Sequence, residues 1–242
     1  GVYQKSDEFV PPTANDAIVT VDMSADGQHI VCGDYAASPG SLYVLLNQAG
    51  ELVLQKQWSL PSGCCHSVRM SPTGASFAAG GPGCFYLFDV APFIADGQPT
   101  ITYPVENNGT VYGVAIADDA SSFAGISNLN PASTAGGMVY FVDRVGTTGN
   151  LRWKYQTARN PNCASLNLSH GIIAISDGHP DGTPGDFYLL DAVTGLPRWK
   201  YVTGNMSWPI AISQDGSAIA AGSDDSNIYY FSSTGELFSV SR

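Results

Sequence analysis

An all-β fold is predicted for these 242 residues from three observations. A short apolar–aromatic phrase recurs five times, an alternating strand and a turn precede each copy, and no segment sustains the 3.6-residue period of an amphipathic helix. The phrases are Leu42-Tyr43-Val44-Leu45, Phe85-Tyr86-Leu87-Phe88, Val139-Tyr140-Phe141-Val142, Phe187-Tyr188-Leu189-Leu190 and Ile228-Tyr229-Tyr230-Phe231. Their tyrosines lie 43, 54, 48 and 41 residues apart. Runs this short, aromatic and partly β-branched suit strands and are too brief for helices.

Each repeat resolves into the same elements in order. First strands are expected near Val19–Met23, Ser67–Met70, Gly113–Ile116, Ser165–Leu168 and Pro209–Ile212. Asp26-Gly27, Thr73-Gly74 and Asp215-Gly216 then mark turns, because glycine accepts positive φ without steric cost. The third copy has Asp118-Asp119 instead, and the fourth, ending in His170-Gly171, is one residue tighter. A second strand of small residues follows, such as Phe77-Ala78-Ala79-Gly80 or Ile219-Ala220-Ala221-Gly222, and lets neighbouring sheets pack closely. The tyrosine phrase is the third strand. A fourth follows it, as in Leu151–Tyr155 and Pro197–Tyr201.

Four antiparallel strands in about 47 residues are the signature of a β-propeller blade. Five such units predict a single propeller of five four-stranded blades over residues 15–242, preceded by an N-terminal arm, 1–14. A closed ring removes exposed blade faces. The alternative is a six-bladed ring with a degenerate blade hidden near Asn128–Met138.

Composition narrows the function classes. A net charge of −11 repels phosphate backbones, so no nucleic-acid partner is expected. No apolar run reaches the length of a membrane helix, and no membrane insertion is expected. No charged-then-apolar leader opens the chain, so Gly1 reads as a processed end. Charged residues are only 13%, so solubility must come from small polar residues, a composition commoner outside cells. Acceptor sequons at Asn108, Asn167 and Asn205 agree with an extracellular or cell-surface location.

The later repeats resemble those of quinoprotein-type (PQQ-like) propellers, through Phe187–Gly195 followed by Trp199-Lys200-Tyr201 and through Val139–Asp143, Gly149 and Trp153-Lys154-Tyr155. The fifth copy keeps Tyr229 and Thr234–Leu237, with Phe238 where Trp is expected; the first two copies resemble generic WD-type blades. The resemblance implies that Trp153 and Trp199, with Trp58 beside them, dock between adjacent blades. Quinoprotein dehydrogenases of that family carry a vicinal disulfide beside their cofactor, and Cys64 and Cys65 are adjacent here. They also have eight blades, and five repeats do not form the same chamber, so no cofactor is expected.

Residues that could carry chemistry are sparse. His29, His66, His170 and His179 form no metal-ligand pair, and no nucleophile elbow or phosphate-cradling loop occurs. His66 beside Cys65 could activate a thiol, although a buried or bonded cysteine is the simpler reading. The loop Asp177–Asp186 gathers three carboxylates without a known calcium spacing, so no metal is expected. Trp208, near the axis, could stack on a sugar. Asp22 and Arg69, on neighbouring first strands, are expected to approach each other. Of five cysteines, Cys64–Cys84 and Cys65–Cys163 are the candidate disulfides, and Cys32 is a buried thiol.

The arm has strand-forming ends, with Val2, Tyr3, Phe9 and Val10 as anchors and Pro11-Pro12 as a stiff junction. It is expected either to fold back on the fifth blade or to add to a neighbouring molecule's blade edge and build a filament. No catalytic residue is expected. The reading is a non-enzymatic extracellular scaffold or self-assembling surface subunit, partnered by itself or by other surface proteins. A glycan-binding propeller and a quinoprotein-like oxidoreductase are the alternatives.

Overall fold

Alternating apolar residues and glycine turns fold each repeat into an antiparallel meander, and five meanders follow one another along the chain. The computed structural model describes residues 7–12, 17–35, 39–129 and 135–241. Val2 and Tyr3 lie outside them. Blade 1 is β1 (Ile18–Met23), β2 (His29–Asp34), β3 (Ser41–Gln48) and β4 (Glu51–Ser59). Blade 2 is β5 (Ser67–Met70), β6 (Ser76–Gly81), β7 (Cys84–Asp89) and β8 (Ile101–Pro104). Blade 3 is β9 (Val111–Ile116), β10 (Ser122–Asn128), β11 (Ala135–Val145) and β12 (Thr148–Arg159). Blade 4 is β13 (Pro161–Asn167), β14 (Ile172–Asp177), β15 (Asp186–Asp191) and β16 (Pro197–Val202). Blade 5 is β17 (Ser207–Ile212), β18 (Ala218–Ser223), β19 (Asn227–Ser232) and β20 (Leu237–Ser241). The fold is the expected five-bladed β-propeller, with each sheet ordered from first strand to fourth.

Two local expectations are corrected. A short helix, α1 (Val90–Asp96), joins β7 to β8; it buries Val90 and Phe93, and Gly97 closes it at φ 75°. Seven residues are too few to display a helical period, although Pro92 in its first turn and Gly97 just past its end are the usual helix boundaries. Leu168 is not in the fourth first strand. It opens a single 3-10 turn, Leu168–His170, capped by the Asn167 side chain.

First strands pack on one another in sequence, β1 on β5, β5 on β9, β9 on β13 and β13 on β17. Side-chain oxygens reinforce most of these steps. Thr20 Oγ1 accepts from the Val68 N–H (3.0 Å) and Asp22 Oδ2 from the Met70 N–H (2.9 Å). Ser67 Oγ accepts from Val114 (3.2 Å) and Ser165 Oγ from Ile212 (3.2 Å). Among the described residues no comparable packing joins β17 to β1. The ring is open at that seam, against the expectation of closure. Val68 in β5 is 0% exposed, whereas its counterpart Val21 in β1 is 61% exposed.

Candidate functional site

Every blade has a leading face, toward the next blade, and a trailing face, toward the preceding one. Three positions in the second and third strands form the heart of the leading face. They are Val31, Leu42 and Val44 in blade 1, and Ala78, Phe85 and Leu87 in blade 2. Blade 3 has Ala124, Val139 and Phe141, and blade 4 has Ala174, Phe187 and Leu189. All twelve are fully buried. Their counterparts in blade 5 are Ala220, Ile228 and Tyr230; Ala220 is exposed, Ile228 is 63% exposed and Tyr230 43%. The trailing face of blade 5 is buried as usual, with Ile219, Tyr229 and Phe231 in one cluster with Phe187 and Leu189.

Tryptophans add to the closed interfaces. Trp153 Nε1 donates to the Ala192 carbonyl (2.9 Å), and its ring lies so close to Gly195 that a Cβ there would meet it at 2.6 Å. Trp199 repeats the arrangement against the Ser233 carbonyl (3.2 Å) and Gly235. Trp58 packs edge-on against Tyr86 (5.2 Å) and Phe88 (5.3 Å) of blade 2. Register places Trp153 opposite Phe141 and Trp199 opposite Leu189. In blade 5 the residue opposite Tyr230 is Ser239, so Phe238 does not take the Trp position assigned from sequence. Phe238 sits at the bulge that Arg198 occupies in blade 4, with its ring 5.4 Å from Tyr230.

The repeated tyrosine is the anchor of each trailing face. It meets an aromatic ring from the fourth strand of the preceding blade in Trp58–Tyr86 (5.2 Å), Tyr103–Tyr140 (6.3 Å), Tyr155–Tyr188 (5.9 Å) and Tyr201–Tyr229 (5.4 Å). Tyr43 of blade 1 meets Phe9 of the arm instead, at 5.1 Å. Asp7 Oδ2 also accepts from the Leu52 N–H of β4 (2.7 Å). The described part of the arm, residues 7–12, therefore lies on its own first blade. Of its expected anchors, Phe9 packs in this way and Val10 is exposed.

The acidic loop of blade 4 serves the same tyrosine framework. Tyr188 donates to Asp177 Oδ2 (2.9 Å) and Asp186 Oδ2 (3.1 Å), while Lys200 pairs with Asp186 (2.8 Å). Burial pushes the Asp177 carboxyl up to about 6 despite the bonds it accepts. Tyr43 donates to Asp34 (2.8 Å) and Tyr229 to Asp225 (2.6 Å) in the same manner. Among the described residues no cluster of three or more His, Cys, Asp or Glu could hold a metal ion.

First strands of all five blades line an axial cavity of about 670 Å³, with Val19, Val21, Arg69, Tyr112, Asn162 and Trp208 among its walls. The Trp208 ring is exposed there, and its Nε1 donates to Asp224 (3.2 Å). Arg69 does not pair with Asp22. Its Nη1 donates to the Val68 carbonyl (2.9 Å), and the Asp22 oxygens accept from the Met23 and Met70 N–H groups. His66 lies between Tyr35 and Tyr112, with Cys64 Sγ 3.4 Å from its Nε2. Burial lowers the imidazole pKa and raises the thiol pKa, and both shifts disfavour a thiolate–imidazolium pair.

All five cysteines are free thiols, so neither expected disulfide is present. Cys65 is fully buried against Gly33 between blades 1 and 2, whereas Cys163 faces the Ile210 carbonyl between blades 4 and 5 (4.0 Å). Different interfaces keep that pair apart. Cys64 is engaged with His66 and Cys84 with Tyr86. Cys32 is the expected buried thiol, and burial pushes its pKa up to about 12.

No protein-family description and no curated protein matches this chain. Among solved structures it is similar to Sqt1 from Chaetomium thermophilum, with 18% identity and a TM-score of 0.74. The match covers 92% of this chain and 60% of that one, so the chain spans less than two thirds of its length. At that identity the likeness carries the fold alone, and with the five four-stranded sheets it supports a β-propeller.

Proposed function

We propose that this propeller is a non-enzymatic scaffold that works by binding protein surfaces, including its own. The observation that carries the reading is the exposed leading face of blade 5, at positions fully buried in every other blade. An exposed apolar face of this kind supports a surface for binding another protein. Its assignment to an extracellular or cell-surface location rests on the low charge content and the sequons. Asn108 is the exposed acceptor among them, while the Asn167 amide is committed to the Ser213 and Gln214 carbonyls. Kinship with quinoprotein-type repeats rests on the repeat phrases and adds no cofactor to the proposal.

A glycan-binding alternative is favoured by one observation, the exposed Trp208 ring at the axial cavity beside Asn162 and Tyr112. Affinity purification with wild-type, Ile228→Asp and Trp208→Ala baits separates the two readings. The scaffold reading expects protein partners that Ile228→Asp loses and Trp208→Ala keeps. Glycan ligands lost only by Trp208→Ala would replace it.

A further inference from the structure

We infer that the leading face of blade 5 docks on the trailing face of blade 1 of a second copy, and that Phe9 of the receiving copy completes the contact. The inference deepens the scaffold reading by naming a partner, and it rests on that reading.

The first argument is continuity. Four interfaces within the chain join a leading face to a trailing face by one pattern. Three leading-face residues, all fully buried, cover the first-strand apolar pair of the next blade, such as Val68 and Met70. Blade 5 offers the three leading positions uncovered, as Ala220, Ile228 and Tyr230. Blade 1 offers the apolar pair uncovered, as Val21 and Met23, each more than half exposed. The two unfinished halves belong to one kind of interface, and the open seam keeps them apart within one chain.

Close approach is the second argument. A Cβ at Gly33 would meet Cys65 of blade 2 at 2.6 Å, and one at Gly80 would meet Val111 of blade 3 at 2.8 Å. Gly222 holds the same position in blade 5, and a Cβ there would meet only Pro209 of its own blade, at 3.1 Å. The clearance that the next blade uses beside Gly33 and Gly80 is present at Gly222 and not filled by another blade.

The third argument selects a second copy over any other sheet. In the closed interfaces the preceding blade supplies an aromatic ring to the trailing-face tyrosine, from Trp58, Tyr103, Tyr155 or Tyr201. Register gives blade 5 Ser241 at that position, opposite Ile228, as Tyr201 is opposite Phe187. Blade 5 therefore has no aromatic residue to contribute there. Blade 1 already carries one, because Phe9 lies 5.1 Å from Tyr43. What the leading half lacks, the trailing half of this same chain supplies. The contact is heterologous, so it propagates into an open chain of copies unless its rotation closes a ring.

Sedimentation velocity over a concentration series of the full 242-residue chain tests the inference. Wild type is expected to self-associate, and more strongly in high salt, since each copy carries a charge of −11. Ile228→Asp is expected to weaken association by roughly a hundredfold, because a carboxylate would be buried without a partner. In protein dilute enough to be monomeric, its thermal midpoint should match wild type, since Ile228 is exposed in the free protein. Phe9→Ala is expected to weaken association by roughly tenfold, the effect of losing one aromatic contact. Excess Ile228→Asp added to wild type should shorten the assemblies, because it still presents a blade 1 end but cannot continue the chain. A wild type that stays monomeric, or an oligomer indifferent to Ile228→Asp, overturns the inference. So does a Phe9→Ala variant that associates more tightly, which would make the arm a competitor. A monomeric wild type whose other protein partners are still lost on Ile228→Asp removes the second copy while leaving the scaffold reading standing.

Discussion

Blades 4 and 5 are built from nearly the same sequence pattern and live in different surroundings. Blade 4 is clamped on both faces: Trp153 reaches it from blade 3, and its own Trp199 reaches blade 5. Blade 5 is clamped on its trailing face alone, and its leading face carries Phe238 and Ser239 where blade 4 carries Arg198 and Trp199. A blade's repeat pattern therefore specifies its sheet, while burial of its faces depends on what stands beside it. The aspartates bonded to Tyr188 and Tyr229 also differ electrostatically, Asp177 ending its second strand and Asp225 lying two residues past the end of its own. Burial holds Asp177 in blade 4 up at about 6. Asp225 in blade 5 is also pushed up by burial. The Tyr229 hydroxyl and the Gly204 and Asn227 N–H groups outweigh that push and hold it below the usual carboxylate range.

Aromatic truncation should break the comparison most visibly. Trp199→Ala is expected to cost about 3 kcal/mol in urea unfolding, because it empties a closed interface. Phe238→Ala is expected to stay within about 0.5 kcal/mol in the monomer. Equal losses would mean that blade 5's leading face is covered within one chain.

A pH titration of stability sharpens the electrostatic half. Between pH 3.8 and about 6, folded Asp177 keeps a proton that the unfolded chain has released. Stability should therefore fall as pH rises through that window, by about 2–3 kcal/mol from this group, and level off above it. Asp225 has the opposite sign: its contribution is present above its ordinary pKa and is lost as the solution becomes more acidic. Asp177→Asn should remove the downward slope between pH 4 and 6 in chemical denaturation measured at each pH, and an unchanged slope would assign it elsewhere.

The smallest effects come from single methyl groups. Gly33→Ala forces a Cβ onto Cys65 and is expected to cost about 2 kcal/mol. Gly222→Ala, with no other blade within reach, should leave the thermal midpoint of the monomer nearly unchanged. In the assembled state the same substitution should weaken association, which links this pair to the docking surface.

Much of this architecture is legible in the sequence because the tyrosine phrase is both periodic and structurally necessary. Tyr43, Tyr188 and Tyr229 each donate to an aspartate and each anchor a trailing face, so the phrase recurs wherever a blade does. Seven-residue α1 escaped because it is too short for a period. Phe238 was misplaced by one residue because its ring, not its spacing, suggested the match: Trp199 lies four residues after Gly195, and Ser239, not Phe238, lies four after Gly235. The open seam was illegible for a different reason. Val21 and Val68 occupy the same place in their repeats, and only the relative placement of whole blades exposes one and buries the other. Phe9 was visible as an apolar anchor, but its target was not, because aromatic stacking on Tyr43 depends on where the chain enters blade 1.

Amide hydrogen exchange at low and high protein concentration tests the central claim most directly, since it reads each blade separately. The account predicts that β18 and β19 exchange faster than β14 and β15 in dilute protein. On concentration, β18, β19 and the β1 segment should gain protection together, while blades 3 and 4 stay unchanged. Blade 5 protection equal to that of blade 4 at low concentration, or protection indifferent to concentration, would contradict it.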